Sequence, residues 1–276
     1  MKSQEEQWLL SEKYGGEKSE AFFADCKSLA LGTPLGYLIG HVPFLDCTIH
    51  LDGRPLIPRT ETEFWVERAI EEITMSQATN PSLFAGGGHR PTTHILDLCA
   101  GSGCIGVAVA HAVPQTSVDF CEIDARLLPT IEKNCQVNNL APERYQIYHA
   151  NLFGQTPSTR QDRVLGRYDF ILSNPPYIDP AVDRTTDSVK THEPHLALYG
   201  GAGGMEVIEQ IIAAAQPHMA PGGQLWIEHE PEQSNAISVL ADKYNFACTT
   251  HVDQYDVQRY SILVADLNFK ESQARL

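Results

Sequence analysis

Apolar residues recur along this chain in two rhythms, and the places where the rhythm changes outline its architecture. From residue 93 onward, short apolar runs alternate with stretches of helical spacing. Runs near 93–98, 117–123, 145–149, 168–173, 222–229 and 258–265 predict strands. Stretches near 103–113, 126–138, 204–217 and 232–243 predict helices between them. Such alternation predicts an α/β fold, a doubly wound and mostly parallel sheet covered by helices. The last run, Arg259 to Val264, is a candidate for antiparallel pairing. There is no internal repeat.

Before residue 93 the pattern is less regular. Residues 1–33 carry helical spacing, with Trp8, Leu9 and Leu10 and then Phe22, Phe23, Cys26 and Leu29, and predict a short helical N-terminal domain. Residues 34–76 form a linker and a connecting helix. Leu35 to Leu51 reads as extended, through Tyr37-Leu38-Ile39-Gly40 and then Phe44 to Leu51. Thr60 or Thr62 is placed to cap a helix running through Phe64, Trp65, Ala69, Ile70 and Ile73. Residues 77–92 contain three consecutive glycines and two prolines and predict a flexible linker, with the main domain at 93–276.

Composition narrows the function classes. Twenty Lys and Arg against 35 Asp and Glu give a net charge of −15, which disfavours a broad phosphate-backbone interface; no stable nucleic-acid partner is expected. The seven cysteines include no C-x-x-C pair, and four lie in apolar or helical patterns, where a reduced cysteine packs as a small hydrophobe. The first residues lack the apolar segment of a secretory signal, and no apolar stretch approaches 18 residues, so a cytoplasmic location without a membrane span is expected.

The chemistry concentrates at strand ends. Asn174-Pro175-Pro176-Tyr177 follows the apolar run 168–173. Two prolines fix φ and remove two N–H donors, so carbonyls at the turn stay free to accept. Asn174 adds an acceptor and Tyr177 a flat face, a combination suited to gripping a planar –NH2 group. Asp97-Leu98-Cys99-Ala100-Gly101-Ser102-Gly103 ends another strand and opens a helix, which places backbone N–H groups against a ligand. Asp124, 21 residues after Gly103, is the expected acceptor for ribose hydroxyls, with Glu122 inside the strand as its competitor. Asn151 and Leu152 follow the third strand and are placed to contact a base. His192, His195 and His229 suggest a metal only weakly, and no metal is expected.

Taken together these residues resemble a class I S-adenosylmethionine methyltransferase, and more closely the HemK/PrmC family of protein-(glutamine-N(5)) methyltransferases. The resemblance runs from about Pro34 to Asp266. It rests on Tyr37-Leu38-Ile39-Gly40 with Phe44, Ile57-Pro58-Arg59-Thr60-Glu61-Thr62-Glu63, the 97–105 loop, and Asn174-Pro175-Pro176-Tyr177-Ile178. Glu193-Pro194, the glycines at 200–204, Glu228 and Gln233 complete it. It implies a seven-stranded methyltransferase domain, a β-hairpin linker and a short N-terminal helical domain. S-adenosyl-L-methionine is the implied cofactor, bound by Asp97, Cys99, Ala100, Gly101, Ser102, Gly103, Asp124, Asn151, Leu152 and Asn174. The implied partner is a peptide chain release factor, methylated on the glutamine of its Gly-Gly-Gln motif. Asn174, Pro175, Pro176 and Tyr177 would be the catalytic and substrate-binding residues, with Arg59 as a weaker substrate contact. The family commonly has Asp where this chain has Asn151, which predicts a weaker cofactor contact there.

Three other readings compete. An amino-methyltransferase acting on adenine in RNA or DNA would share the Asn-Pro-Pro-Tyr turn but calls for a basic groove. A non-catalytic binding subunit of the same fold would tolerate decay of the glycine loop or of the turn, and both are intact. A dinucleotide oxidoreductase would need G-x-G-x-x-G, which the loop lacks.

Overall fold

The computed structural model describes residues 3–79, 92–155 and 166–265. Ser3 and Ser19 begin the first two helices, α1 (Gln4–Glu12) and α2 (Glu20–Ala30), each side-chain oxygen accepting a first-turn backbone N–H. Leu9 and Phe22 are buried between these helices and their neighbours, while Trp8, Phe23 and Leu31 stay largely exposed. A third helix, α3 (Leu35–Ile39), corrects the extended reading of Tyr37-Leu38-Ile39. Its turn is held by the Tyr37 hydroxyl donating to the Pro55 carbonyl and is stopped by Gly40 at φ 94°.

Strands β1 (His41–Phe44) and β2 (Cys47–His50) form an antiparallel hairpin. The tight turn sets Leu45 at φ 48°, and its N–H is taken by the Glu63 carboxylate. Glu63 is therefore a brace for the linker. The long helix α4 (Thr60–Thr79) follows, so residues 77–79, assigned above to the flexible linker, are helical. Residues 80–91 of that linker lie outside the described residues.

The main sheet contains β3 (Thr93–Leu98), β4 (Thr116–Glu122), β5 (Tyr145–Asn151), β6 (Gly154–Gln155), β7 (Tyr168–Ser173), β8 (Met219–Glu228), β9 (Phe246–Val252) and β10 (Gln258–Ala265). Their spatial order is β6-β5-β4-β3-β7-β8-β10-β9. Neighbours from β5 to β8 run parallel, β10 is antiparallel to both β8 and β9, and the two-residue β6 only edges β5. Seven main strands, mostly parallel, match the expectation. Strand β9 was absent from the strands predicted by pattern. Helices α5 (Cys104–Ala112) and α6 (Leu128–Val137) lie with α4 on one face. Beyond the short helices α7 (Asp187–His192) and α8 (His195–Leu198), helices α9 (Glu206–Ala215) and α10 (Ser234–Lys243) cover the other.

Several contacts bind the linker to this core. Asn134 and Asn138, one helical turn apart at the end of α6, use their amides to accept from and donate to the backbone of His50 and Thr48, supplying the ladder that β2 would otherwise lack. On α4, Trp65 is fully buried and stacks toward Trp226 and Tyr260, whose rings lie 5.6 Å apart and 7° from parallel. Truncating such a buried indole costs about 3–5 kcal/mol. The linker and α4 are thus parts of one wall with the sheet.

Candidate active site

Parallel pairing brings the carboxyl ends of β3, β4, β5 and β7 to one edge, where open α/β sheets bind ligands. A cavity of about 1010 Å³, counting its open mouth, occupies this edge. Of the residues expected at the site, Cys99, Ala100, Gly101, Ser102, Asp124, Asn151, Leu152, Asn174 and Pro176 line it. Asp97 lies beneath its floor, fully buried, and Gly103 starts α5 behind it.

The glycine loop is shaped by backbone that turns left-handed three times, at Cys99, Gly101 and Gly103. At Gly103, φ 78° strains any side chain, and a Cβ there would crowd Ile131 at 3.1 Å and Phe120 at 3.3 Å. Three partners hold the loop. The Gly101 N–H donates to Glu122 Oε2 at 2.7 Å, the Ala100 N–H to the Cys121 carbonyl at 3.0 Å, and Asn134 Nδ2 to the Ser102 carbonyl at 2.8 Å. Asn134 therefore ties hairpin and loop together. Asp97 Oδ2 accepts from the Gly106 N–H at 2.9 Å, while its Oδ1 is buried without a protein partner. Burial raises the Asp97 carboxyl to about 8, against the opposing pull of the Gly106 bond.

The two acidic candidates exchange places. Strand β4 ends at Glu122, so Glu122, rather than Asp124, closes the strand. Glu122 is buried, lines the cavity and anchors the N–H groups of Gly101 and Asp124; burial raises its carboxyl. The Asp124 side chain accepts from Arg126 at both oxygens, through Nε at 2.9 and 3.1 Å and Nη2 at 2.6 Å, which holds its carboxyl below the usual range. The charge of Asp124 is already matched.

At the other end of the cavity the Asn-Pro-Pro-Tyr turn is fixed from several directions. Asn174 Nδ2 donates to Thr62 Oγ1 at 3.1 Å, and the Tyr177 hydroxyl donates to Glu228 Oε1 at 2.9 Å. Gln233 Nε2 donates both to the Tyr177 carbonyl at 2.7 Å and to the Gly203 carbonyl at 3.0 Å. A Cβ on Gly200 would strike the Pro176 carbonyl, and one on Gly204 the Tyr177 carbonyl. The glycines at 200–204 let a second strand of backbone lie against the turn.

Sequence reasoning did not place Thr62, Leu56, Pro58 or Leu196 at this cavity and gave Glu122 only as the competitor of Asp124, yet all five line it. Arg59, expected as a weaker substrate contact, pairs with Glu193 at 2.7 Å and keeps about a third of its side chain exposed. The histidines are committed to protein partners: His192 to the Ser188 carbonyl, His195 to the Lys190 carbonyl, His229 to Ser261 and the Glu230 carbonyl. Among the described residues no group of three His, Cys, Asp or Glu side chains is arranged to hold a metal ion. Likewise, no helix among them is long and apolar enough to cross a membrane.

The family described as "Methyltransferase small domain" matches residues 87–192. Among solved structures, a T. thermophilus 16S rRNA N2 G1207 methyltransferase in complex with AdoMet and guanosine shares the fold, with a TM-score of 0.50 at 18% identity over 82% of this chain and 49% of that one. Sheet order, glycine loop and family match define a class I S-adenosylmethionine-dependent methyltransferase. The curated relatives narrow this. The "Release factor glutamine methyltransferase" of Chlorobaculum tepidum is 33% identical, across 76% of this chain and 67% of that protein. Its namesake in Bifidobacterium longum is 29% identical, across 93% and 85%. A "Ribosomal protein uL3 glutamine methyltransferase" of Burkholderia pseudomallei is 29% identical, across 73% and 62%. The chain belongs to the release factor glutamine methyltransferase family.

Proposed function

We propose that this chain methylates the side-chain amide nitrogen of the glutamine in the Gly-Gly-Gln motif of a peptide chain release factor, in the cytoplasm. The observation that carries the reading is the orientation of Asn174, whose NH2 end is engaged by Thr62 and whose oxygen is thereby left for an acceptor amide.

S-adenosyl-L-methionine supplies an electrophilic methyl group. The residues present fit it: a glycine loop with backbone N–H groups, a buried Asp97 oxygen lacking a protein partner, and apolar walls from Ile105, Leu127 and Leu152. Cys99 to Gly103 would cradle it, and Asn151 and Leu152 would meet its base. Glu122 is the better acceptor for ribose hydroxyls, because Asp124 is already neutralised by Arg126.

A glutamine amide is a poor nucleophile, since its nitrogen lone pair is delocalised into the carbonyl. Asn174 Oδ1 and the Pro175 carbonyl accept its two N–H groups, aim the nitrogen into the cavity and favour its loss of planarity. The same acceptors would stabilise positive charge as it develops on nitrogen while the sulfonium–methyl bond breaks to leave a neutral thioether, and the extra proton then passes to water. The Tyr177 ring, its hydroxyl held by Glu228, would cover the other face of the amide. Most of the rate then comes from positioning rather than from a strong base.

The test is transfer of labelled methyl groups to a release factor, beside the same factor with its Gly-Gly-Gln glutamine changed to alanine. Ribosomal protein uL3, tRNA and duplex DNA serve as parallel acceptors. Label confined to the intact factor is the expected result. Label on uL3 alone would move the substrate to a ribosomal protein, and label on nucleic acid would overturn the glutamine reading.

A further inference from the structure

We propose that Thr62 and Glu228 are positioning residues that decide which end of the Asn174 amide faces the acceptor. This rests on the reading that Asn174 Oδ1 receives an N–H of the substrate amide. A primary amide can be turned by 180° with almost no change of shape, exchanging oxygen for NH2. At a site that must accept from another NH2 group, the reversed amide would set donor against donor. Something has to bias the choice.

Thr62 is placed to do so. Its hydroxyl carries one proton, which it donates to Glu228 Oε2 at 2.7 Å. Toward Asn174, 3.1 Å away, Thr62 then presents only lone pairs, so Asn174 offers Nδ2 on that side and Oδ1 on the other. Glu228 in turn is committed to accepting. The Trp65 indole, which can only donate, reaches the same Oε2 at 2.6 Å, and the Tyr177 hydroxyl reaches Oε1 at 2.9 Å. Three donors converge on one carboxylate that is 1% exposed.

Two simple geometric facts assemble this chain of bonds. Thr62 and Trp65 are three residues apart on α4 and so share a face. Strands β7 and β8 are parallel with Ser173 paired to Ile227, so Asn174 and Glu228 leave neighbouring strand ends at one level. One buried carboxylate thus aims two residues of the turn, Asn174 through Thr62 and Tyr177 directly.

Thr62→Val keeps the side chain's shape and removes its hydroxyl, and Thr62→Ser keeps the hydroxyl. The side-chain NH2 signals of Asn174, assigned in 1H–15N spectra by their loss in Asn174→Asp, report the orientation without any turnover. The expected result is signals at the wild-type position in Thr62→Ser and displaced in Thr62→Val. With a release factor as acceptor, Thr62→Val lowers kcat by about tenfold to a hundredfold, and Thr62→Ser restores most of it. KM and the dissociation constant of the cofactor stay within about twofold in both. Unmoved Asn174 signals in Thr62→Val, or displaced signals with an unchanged kcat, would overturn the proposal. So would equal losses in the Ser and Val variants, or a loss shared by kcat and cofactor affinity, which mark a merely structural role. Should the wild-type chain transfer no methyl group to any release factor, the substrate reading fails while the NH2 signals still decide the orientation.

Discussion

Arg59 Nη2 lies 2.7 Å from Glu193 Oε1, a contact that joins the linker to the segment before α8 across 134 positions of sequence. The second Glu193 oxygen accepts from the Ile57 N–H at 3.1 Å. Leu56 and Pro58 from one segment and Pro194, Leu196 and Ala197 from the other all line the cavity, so the ion pair joins two parts of its wall. Glu193 is buried, and removing its partner leaves a carboxylate short of one charge-assisted bond. Arg59→Met is expected to lower stability by about 1.5–3 kcal/mol, read from urea unfolding. Its KM for the release factor should rise more than its kcat falls. Unchanged stability would instead favour a direct substrate role for Arg59.

Asn174→Ala should lower kcat by roughly a hundredfold or more, since it removes an acceptor aimed at developing charge. The cofactor dissociation constant, measured by calorimetry, should stay within about twofold. Equal losses in both would argue that Asn174 holds the cofactor rather than the acceptor.

Glu122 and Asp124 are separated by comparing cofactor affinity in two variants. Glu122→Gln should weaken binding by about tenfold, through the loss of a charged acceptor and a looser Gly101 contact, at about 1.4 kcal/mol per tenfold. Asp124→Asn should change it little. The reverse ranking would restore the ribose role to Asp124.

Gly203 and Gly204 form a controlled pair, both left-handed at φ 62° and 67°. A Cβ on Gly203 finds its nearest neighbour 3.9 Å away, whereas on Gly204 it would collide with the Tyr177 carbonyl and Gln233. Backbone strain is common to both alanine variants, so any excess loss in Gly204→Ala measures the packing of backbone against the turn. Methyl transfer should survive largely in Gly203→Ala and collapse in Gly204→Ala.

The buried Asp97 makes stability depend on pH. Its carboxyl titrates near 8 when folded, above the unfolded value near 3.8, so the folded chain binds an extra proton between those limits. The resulting stabilisation is complete below about pH 4 and is lost as pH rises through about 8. Urea unfolding of the cofactor-free protein from pH 5 to 9 should show this decline, and Asp97→Asn should flatten its upper part. Glu122, Asp169 and Glu228 are shifted upward by burial too, so a shallower slope will remain.

Much of the fold was legible in the sequence because its central strands are buried on both faces and read as uninterrupted apolar runs. Strand β9 escaped because it lies at the sheet's edge, and Phe246-Ala247-Cys248-Thr249-Thr250-His251-Val252 buries only Phe246 fully. Helix α3 was misread because Tyr37-Leu38-Ile39 favours extended backbone locally, while its helical turn depends on Pro55, eighteen positions away. The glycine loop and the Asn-Pro-Pro-Tyr turn are contiguous motifs, open to direct reading. The Thr62–Glu228 contact spans 166 positions, and no local pattern links its ends. Glu122 ranks second to Asp124 in the sequence for a different reason: an acid at the end of an apolar strand looks like an interior strand residue until the strand's last hydrogen bond is located.

The seat of Thr62 on α4 has a consequence for how this enzyme can be divided. A fragment beginning at β3 would retain the glycine loop and the Asn-Pro-Pro-Tyr turn, everything by which such a domain is recognised. It would lack Leu56, Pro58, Thr62 and Trp65, and with them a cavity wall and two of the three donors that Glu228 gathers. The part that looks like the complete catalyst is therefore only half of one, and grafting a new substrate module onto it would have to begin upstream of the hairpin.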